Sequence, residues 1–169
     1  MVPGEIPDRF SHVVLVTGAR TWNDEPTMRS VFRGAWRTWG AANVVRPLLL
    51  SGNCDKGADA MAERLWRDAG FEMRTFPADW SAAHGRPGLR RNQRMVDVAR
   101  TFLDAGASVL CTAFLDLCRK PACARRTQEQ LLPAGPSGHF SHGTVHCRSR
   151  ALIAGLQVLD SVRAGVSTG

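Results

Sequence analysis

No stretch of this sequence stays apolar for the roughly 20 residues that a membrane-spanning helix needs. The opening residues MVPGEIPDRF lack a basic start followed by an apolar core, so no signal peptide and a cytoplasmic location are expected. Cysteines are few and odd in number: Cys54, Cys111, Cys118, Cys123 and Cys147. Without an export signal this argues against a disulfide framework and leaves core thiols or metal ligands. Acidic side chains are the minority, 15 against 22 lysines and arginines, for a formal charge of +7. That surplus suits an anionic partner, nucleotide or nucleic acid, or a merely solvated basic surface. A long basic tract is missing, and only Arg90-Arg91 and Arg125-Arg126 stand as pairs.

What is present suffices for one globular domain. The chain has 169 residues, 44% of them hydrophobic and 22% charged, which allows a sizeable core. Its organising stretch is Leu48–Ala62, LLLSGNCDKGADAMA. An apolar strand runs into Ser51-Gly52 and a polar turn. From Ala58 the apolar residues Met61, Ala62, Leu65, Trp66 and Ala69 recur at helical spacing, and Gly70 marks the helix end. A strand, a glycine-containing loop and a helix start in this order aim backbone N–H groups at a phosphate, or form an ordinary strand-to-helix turn. Gly52 and Gly57 permit close backbone approach, and Lys56 adds a point charge.

Similar units flank this one. His12–Thr17 is a strand without alternation, as in a sheet buried on both faces. Met28, Val31, Phe32, Ala35 and Trp39 share a helical face closed by Gly40. A second strand covers about Val44–Leu50, regular only after Pro47. Phe71–Phe76 is a third strand, Arg90–Ala105 a third helix, and Ala107–Phe114 a fourth strand. An irregular insertion, 115–143, is followed by a weaker helix over Thr144–Ala154 and a short strand over Leu156–Leu159. The alternation predicts a single α/β, Rossmann-like domain over residues 1–160, with a mostly parallel sheet of about five strands and helices on both faces. Residues 161–169 read as a tail. Ligands of such sheets bind beyond the carboxyl ends of the strands. That rule gathers Gly18–Trp22, Ser51–Asp59, Asp79–Asn92 and Phe114–Thr144 on one rim.

Each rim residue has a binding role and a structural alternative. Arg20 can hold a phosphate with its planar fork, or be a solvated loop arginine. Trp22 can stack on a base or pack on the next helix. Asp59 can bind ribose, or only profit from the helix dipole, an effect of about 0.3–1 kcal/mol. Asp79 can bind ribose or cap its loop. Arg91 and Asn92, at a helix start, offer phosphate or base contacts.

The set Thr17-Gly18-Ala19-Arg20 with Trp22, Ser51-Gly52-x-x-x-Lys56-Gly57-Ala58-Asp59, Pro77-Ala78-Asp79-Trp80, Arg91-Asn92-x-x-Met95 and His142-Gly143-Thr144 resembles the SLOG superfamily. The nearest branch is the YspA/YpsA-related one, common in bacteria and their phages. The resemblance spans about Val13 to Val158. It implies a Rossmann-like fold that binds a nucleotide or nucleotide-derived small molecule, with Gly143 and Thr144 among its binding residues. Some relatives are "lonely guy" phosphoribohydrolases, others are sensor domains, a distant one binds single-stranded DNA, and self-association is frequent. The hydrolase branch carries P-G-G-x-G-T-x-x-E. Here Gly143-Thr144 is kept, but Cys147 stands where the glutamate would be. A thiol with a pKa of about 8.5 does not replace a carboxyl as a general acid or base, so binding or sensing is expected ahead of catalysis. Cleavage of a nucleoside monophosphate is the first alternative and single-stranded nucleic-acid binding the second.

The insertion holds Cys118-x4-Cys123, with His139 and His142 spaced x2. Thiolates and imidazoles so arranged suit a tetrahedral structural zinc, which would order a segment poor in apolar residues. Cys118, Cys123, His139 and His142 are the expected ligands, with His146 and Cys147 in reserve.

Overall fold

The computed structural model describes residues 10–81, 85–121, 123 and 138–166. Five strands and four α-helices alternate along them: β1 His12–Gly18, α1 Glu25–Trp39, β2 Pro47–Ser51, α2 Gly57–Asp68, β3 Glu72–Thr75, α3 Pro87–Asp104, β4 Ser108–Leu115, α4 His142–Ile153 and β5 Gln157–Val162. All four strand pairings are parallel, in the order β3-β2-β1-β4-β5. The α/β class, the five strands and the helices on both faces are as the sequence pattern predicts.

β1 shows why its apolar run carries no alternation. Val13 and Leu15 face one layer with Leu48, Leu50, Val96, Ala99 and Cys111. Val14 and Val16 face the other, with Met28, Leu49, Ala58, Ala62 and Trp66. Both sheet faces are dry, so both strand faces must be apolar. α3 and α4 cover the first layer, α1 and α2 the second.

The boundaries move at several places. β2 begins at Pro47, where the strand has no need of an N–H, and a 3₁₀ turn at Ala41–Asn43 precedes it. α3 begins three residues before Arg90, because Pro87 is favoured in a first helical turn. α4 begins at His142, two residues before Thr144; its polar first turn gives no apolar period to read. β5 runs on to Val162, two residues into the expected tail, because Leu115 pairs with Val162. Its polar Asp160 and Ser161 sit at a sheet edge, where exposure removes the apolar signal. The end of the tail, 167–169, lies outside the described residues, as do residues 1–9. No helix among the described residues is long and apolar enough to cross a membrane.

Candidate ligand-binding rim and metal centre

The strand order reverses between β1 and β4, and the loops leaving β1, β2 and β4 meet above that point. Gly18 ends β1 packed on Ala58 and Phe114. The Ala19 carbonyl then accepts the Ala58 N–H at 3.1 Å, locking the β1 loop to the start of α2. Gly57 makes the join possible: its φ is +74°, and a Cβ there would lie 2.6 Å from the Arg20 carbonyl carbon.

Asp59, in the first turn of α2, is 6% exposed. Its Oδ2 accepts the Cys54 N–H at 3.3 Å. Burial pushes its carboxyl up to about 6, although the Arg91 guanidinium and the Cys54 N–H oppose the rise. Glu63, one turn on and also buried, accepts the Ser51 hydroxyl at 2.7 Å.

α3 bridges this floor to α4. Arg91 lies over Gly52: its Nη1 donates to the Gly52 carbonyl and its Nε to Asn92 Oδ1 at 2.9 Å. A Cβ on residue 52 would stand 2.6 Å from Arg91 Cζ and 2.7 Å from Asp59 Oδ2, so only glycine leaves this space. Asn92 is buried, and its Nδ2 donates to the Gly143 carbonyl at 3.0 Å and lies 3.5 Å from His146 Nδ1. Burial, with Arg150 and Arg86, lowers the His146 pKa, so the ring is neutral at pH 7 and can accept from that amide.

The two helix starts on the rim differ. At α2 the Ala58 N–H is already taken by Ala19 and an acidic side chain fills the first turn. At α4 the first turn has no acidic residue, and among the described residues the Ser141 cap makes no side-chain hydrogen bond and the buried Thr144 hydroxyl has no partner.

Beside the α4 start, one donor atom from each of Cys118, Cys123, His139 and His142 lies within 4.8 Å of all the others. Cys123 Sγ is 3.3 Å from His139 Nε2 and 3.1 Å from His142 Nε2, and the two Nε2 atoms are 2.9 Å apart. Metal bonds of about 2.0 Å to nitrogen and 2.3 Å to sulfur in a tetrahedron set such edges at about 3.3–3.8 Å, so these three contacts would open by a few tenths of an ångström around an ion. The group can hold a metal ion. The Cys118 N–H on the His139 carbonyl at 2.8 Å and the Leu117–Phe140 bridge fix its two halves to each other.

The family model for the YspA, cpYpsA-related SLOG family (YAcAr) matches residues 12–83. Over these residues the chain is similar to the SLOG superfamily, in its YspA-related branch. The match takes in β1 to β3; Arg91, Asn92, Gly143 and Thr144 lie beyond it. No curated protein and no solved structure matches the chain.

On this scaffold Ser51, Gly52, Asp59, Arg91, Asn92 and Gly143 come together, with Gly57 beneath Arg20. Arg20 and Lys56 are exposed at the edge. Two residues stand apart from their binding roles. Trp22 is 2% exposed, its indole N–H on the Asp24 carbonyl and its ring 5.0 Å from Phe114, so it has no free face for a base. Asp79 takes the Ser81 N–H at 3.1 Å and hydroxyl at 2.6 Å, the capping arrangement. Cys147 is wholly buried, with a hydrogen bond to the Thr17 hydroxyl, and burial pushes its thiol up to about 12. It neither reaches the Cys/His group nor exchanges protons near neutrality.

Three contributors escape sequence reasoning. Glu63 had a weak signal, four residues beyond Asp59 on one helical face. His146 gave none beyond its reserve place among the metal ligands. Asp116 had none: fully buried at the end of β4, it accepts the Thr21 hydroxyl at 2.6 Å and Arg163 Nη1 at 2.9 Å. Burial would raise its carboxyl, but these donors and the Leu117 N–H hold it below its usual value. A groove of about 550 Å³ between Arg74, Phe76 and Arg94 lies elsewhere, along β3 and α3, and includes none of the rim residues.

Proposed function

We propose that this protein binds a nucleotide or nucleotide-derived ligand on the rim. The observation that carries the reading is the reach of two consecutive α3 residues, Arg91 to Gly52 and Asn92 to Gly143, which joins the β2 loop and the α4 start above the switch in strand order. The anionic group of the ligand belongs at the α4 start, where the first N–H groups of the helix have no intrahelical acceptor and the Thr144 hydroxyl awaits one. Arg20 and Arg91 supply positive charge. Asp59, in the first turn of α2, would accept a ribose hydroxyl in this reading. The experiment is a thermal-shift and calorimetric panel of nucleoside mono- and diphosphates, cyclic nucleotides and ADP-ribose. Saturable binding by at least one, weakened tenfold or more in Arg91→Ala, supports the reading; no binding across the panel removes it. Binding only to mixed-sequence oligonucleotides, falling steeply with salt, transfers the site to nucleic acid.

Hydrolysis of a nucleoside monophosphate is the second reading. One observation favours it: Asp59, with its carboxyl near 6, titrates in the range a general acid or base uses. Free base and ribose phosphate released with time, and lost in Asp59→Asn, support it. No turnover across purine and pyrimidine monophosphates ends it.

Cys118, Cys123, His139 and His142 are the ligands of a structural zinc in this proposal. Two thiolates and two imidazoles with no fifth donor among them suit zinc in a closed, non-catalytic site. One zinc per chain in native mass spectrometry, lost in Cys118→Ser, is the expected result. A purified chain without metal that refuses added zinc contradicts it.

A further inference from the structure

α4 is a weak helix by composition. HGTVHCRSRALI has glycine second, three β-branched residues and two histidines, and these are poor to middling helix formers. At 12 residues it is at the length, about 12–15, where an isolated helix is marginal in water even with a good sequence. Its start is therefore held from outside, and three clasps do so. The Ser141 N–H donates to the Asp116 carbonyl at 3.0 Å. Asn92 donates to the Gly143 carbonyl. His142, the first helical residue, belongs to the Cys/His group.

The third clasp differs from the others because an ion would tighten it. Without one, hydrogen bonds of 2.9–3.3 Å among Cys123, His139 and His142 link the group, and these are weaker than metal bonds to the same atoms. With one, the fixed His142 ring holds the backbone that leads directly into Gly143 and Thr144. A zinc carrying two thiolates and two neutral imidazoles has no net charge, so it does not oppose the positive end of the α4 dipole.

We infer that metal occupancy of this centre orders the first turn of α4 and thereby sets the ligand affinity of the rim; the second half rests on the nucleotide reading above. The path is short. His142 is next to Gly143, whose carbonyl holds Asn92; Asn92 holds Arg91 through its Oδ1; and Arg91 covers Gly52. Loss of the ion frees the far end of that chain of contacts and leaves β1 and β2, packed in the two dry layers, in place.

The test compares zinc-loaded full-length chain, chain stripped by a chelator, and stripped chain given back one equivalent of zinc. Hydrogen exchange is followed by mass spectrometry and AMP binding by calorimetry. Stripping is expected to speed exchange at least tenfold over residues 142–147 and 91–92 while β1 and β2 stay protected. AMP affinity falls at least tenfold, and zinc restores both. Cys123→Ser, which lies outside α4 and leaves His142 in place, gives the same result without a chelator. Faster exchange confined to the insertion overturns the inference. So does loss of protection throughout β1 and β2, which would make the ion a staple of the whole fold, and so does a chain that takes up no zinc. If AMP binds neither form, the affinity half falls for AMP, the nucleotide reading is decided by the rest of the panel, and exchange still decides whether the ion orders α4.

Discussion

Arg91 sits on Gly52 in the space that any side chain at position 52 would fill. The pair lies 39 residues apart in sequence and joins α3 to the loop after β2. Because the obstructing atoms are side-chain ends, two on Arg91 and one on Asp59, Gly52→Ala should displace Arg91 and shift the Asp59 carboxyl rather than break the fold. The expected loss of stability is about 1 kcal/mol, one exchanged hydrogen bond. Ligand affinity should drop as far as in Arg91→Ala, and the double variant should be no worse than either single one. Additive losses in that cycle would show that Arg91 contributes from somewhere other than over Gly52.

Gly143 separates stability from binding in the opposite direction. A Cβ there meets nothing within 4 Å, and the residue is helical. Gly143→Ala should therefore raise the unfolding free energy by up to about 1 kcal/mol. If a phosphate approaches the α4 backbone, the same methyl should weaken nucleotide binding. A variant that melts higher and binds as tightly would move the anionic group away from this turn.

Asp59 makes stability depend on pH with a defined sign. Its carboxyl rises from 3.8 to about 6 on folding, mainly through burial. The folded chain thus holds this proton more tightly than the unfolded one. The stabilising contribution is complete below about pH 4 and is lost as pH rises to about 6, by on the order of 3 kcal/mol. Asp59→Asn should flatten that part of the profile, read as the difference between the two denaturation curves from pH 4 to 7. Parallel curves would mean that Asp59 is ionised with a pKa close to its unfolded value.

Cys147 should not be convertible into the glutamate of the hydrolase branch. It is fully buried, beside Thr17, with the Asp59 carboxyl near enough to raise its pKa. Cys147→Glu buries a further acid beside Asp59 and should destabilise the protein by at least about 3 kcal/mol. No nucleoside monophosphate hydrolysis should appear. A stable, hydrolytically active Cys147→Glu protein would refute the assignment of this position to the core.

Pattern along the chain alone is enough to read the alternation of strands and helices, which loops share the carboxyl end of the sheet, and the four members of the Cys/His group. Apolar periodicity records which face of each element meets the core, and the short spacings Cys118-x4-Cys123 and His139-x2-His142 record donors that local backbone alone brings close. Tertiary structure decided the rest. Trp22 and Cys147 look available in sequence and are packed away, because their burial is imposed by Phe114 on a distant strand and by Thr17 on β1. Glu63 and Asp116 look incidental and are fully engaged. The contacts of Arg91 with Gly52 and of Asn92 with Gly143 cross 39 and 51 residues. Periodicity carries no information about distances between elements; those arise only when the parallel order β3-β2-β1-β4-β5 fixes which strand ends lie side by side.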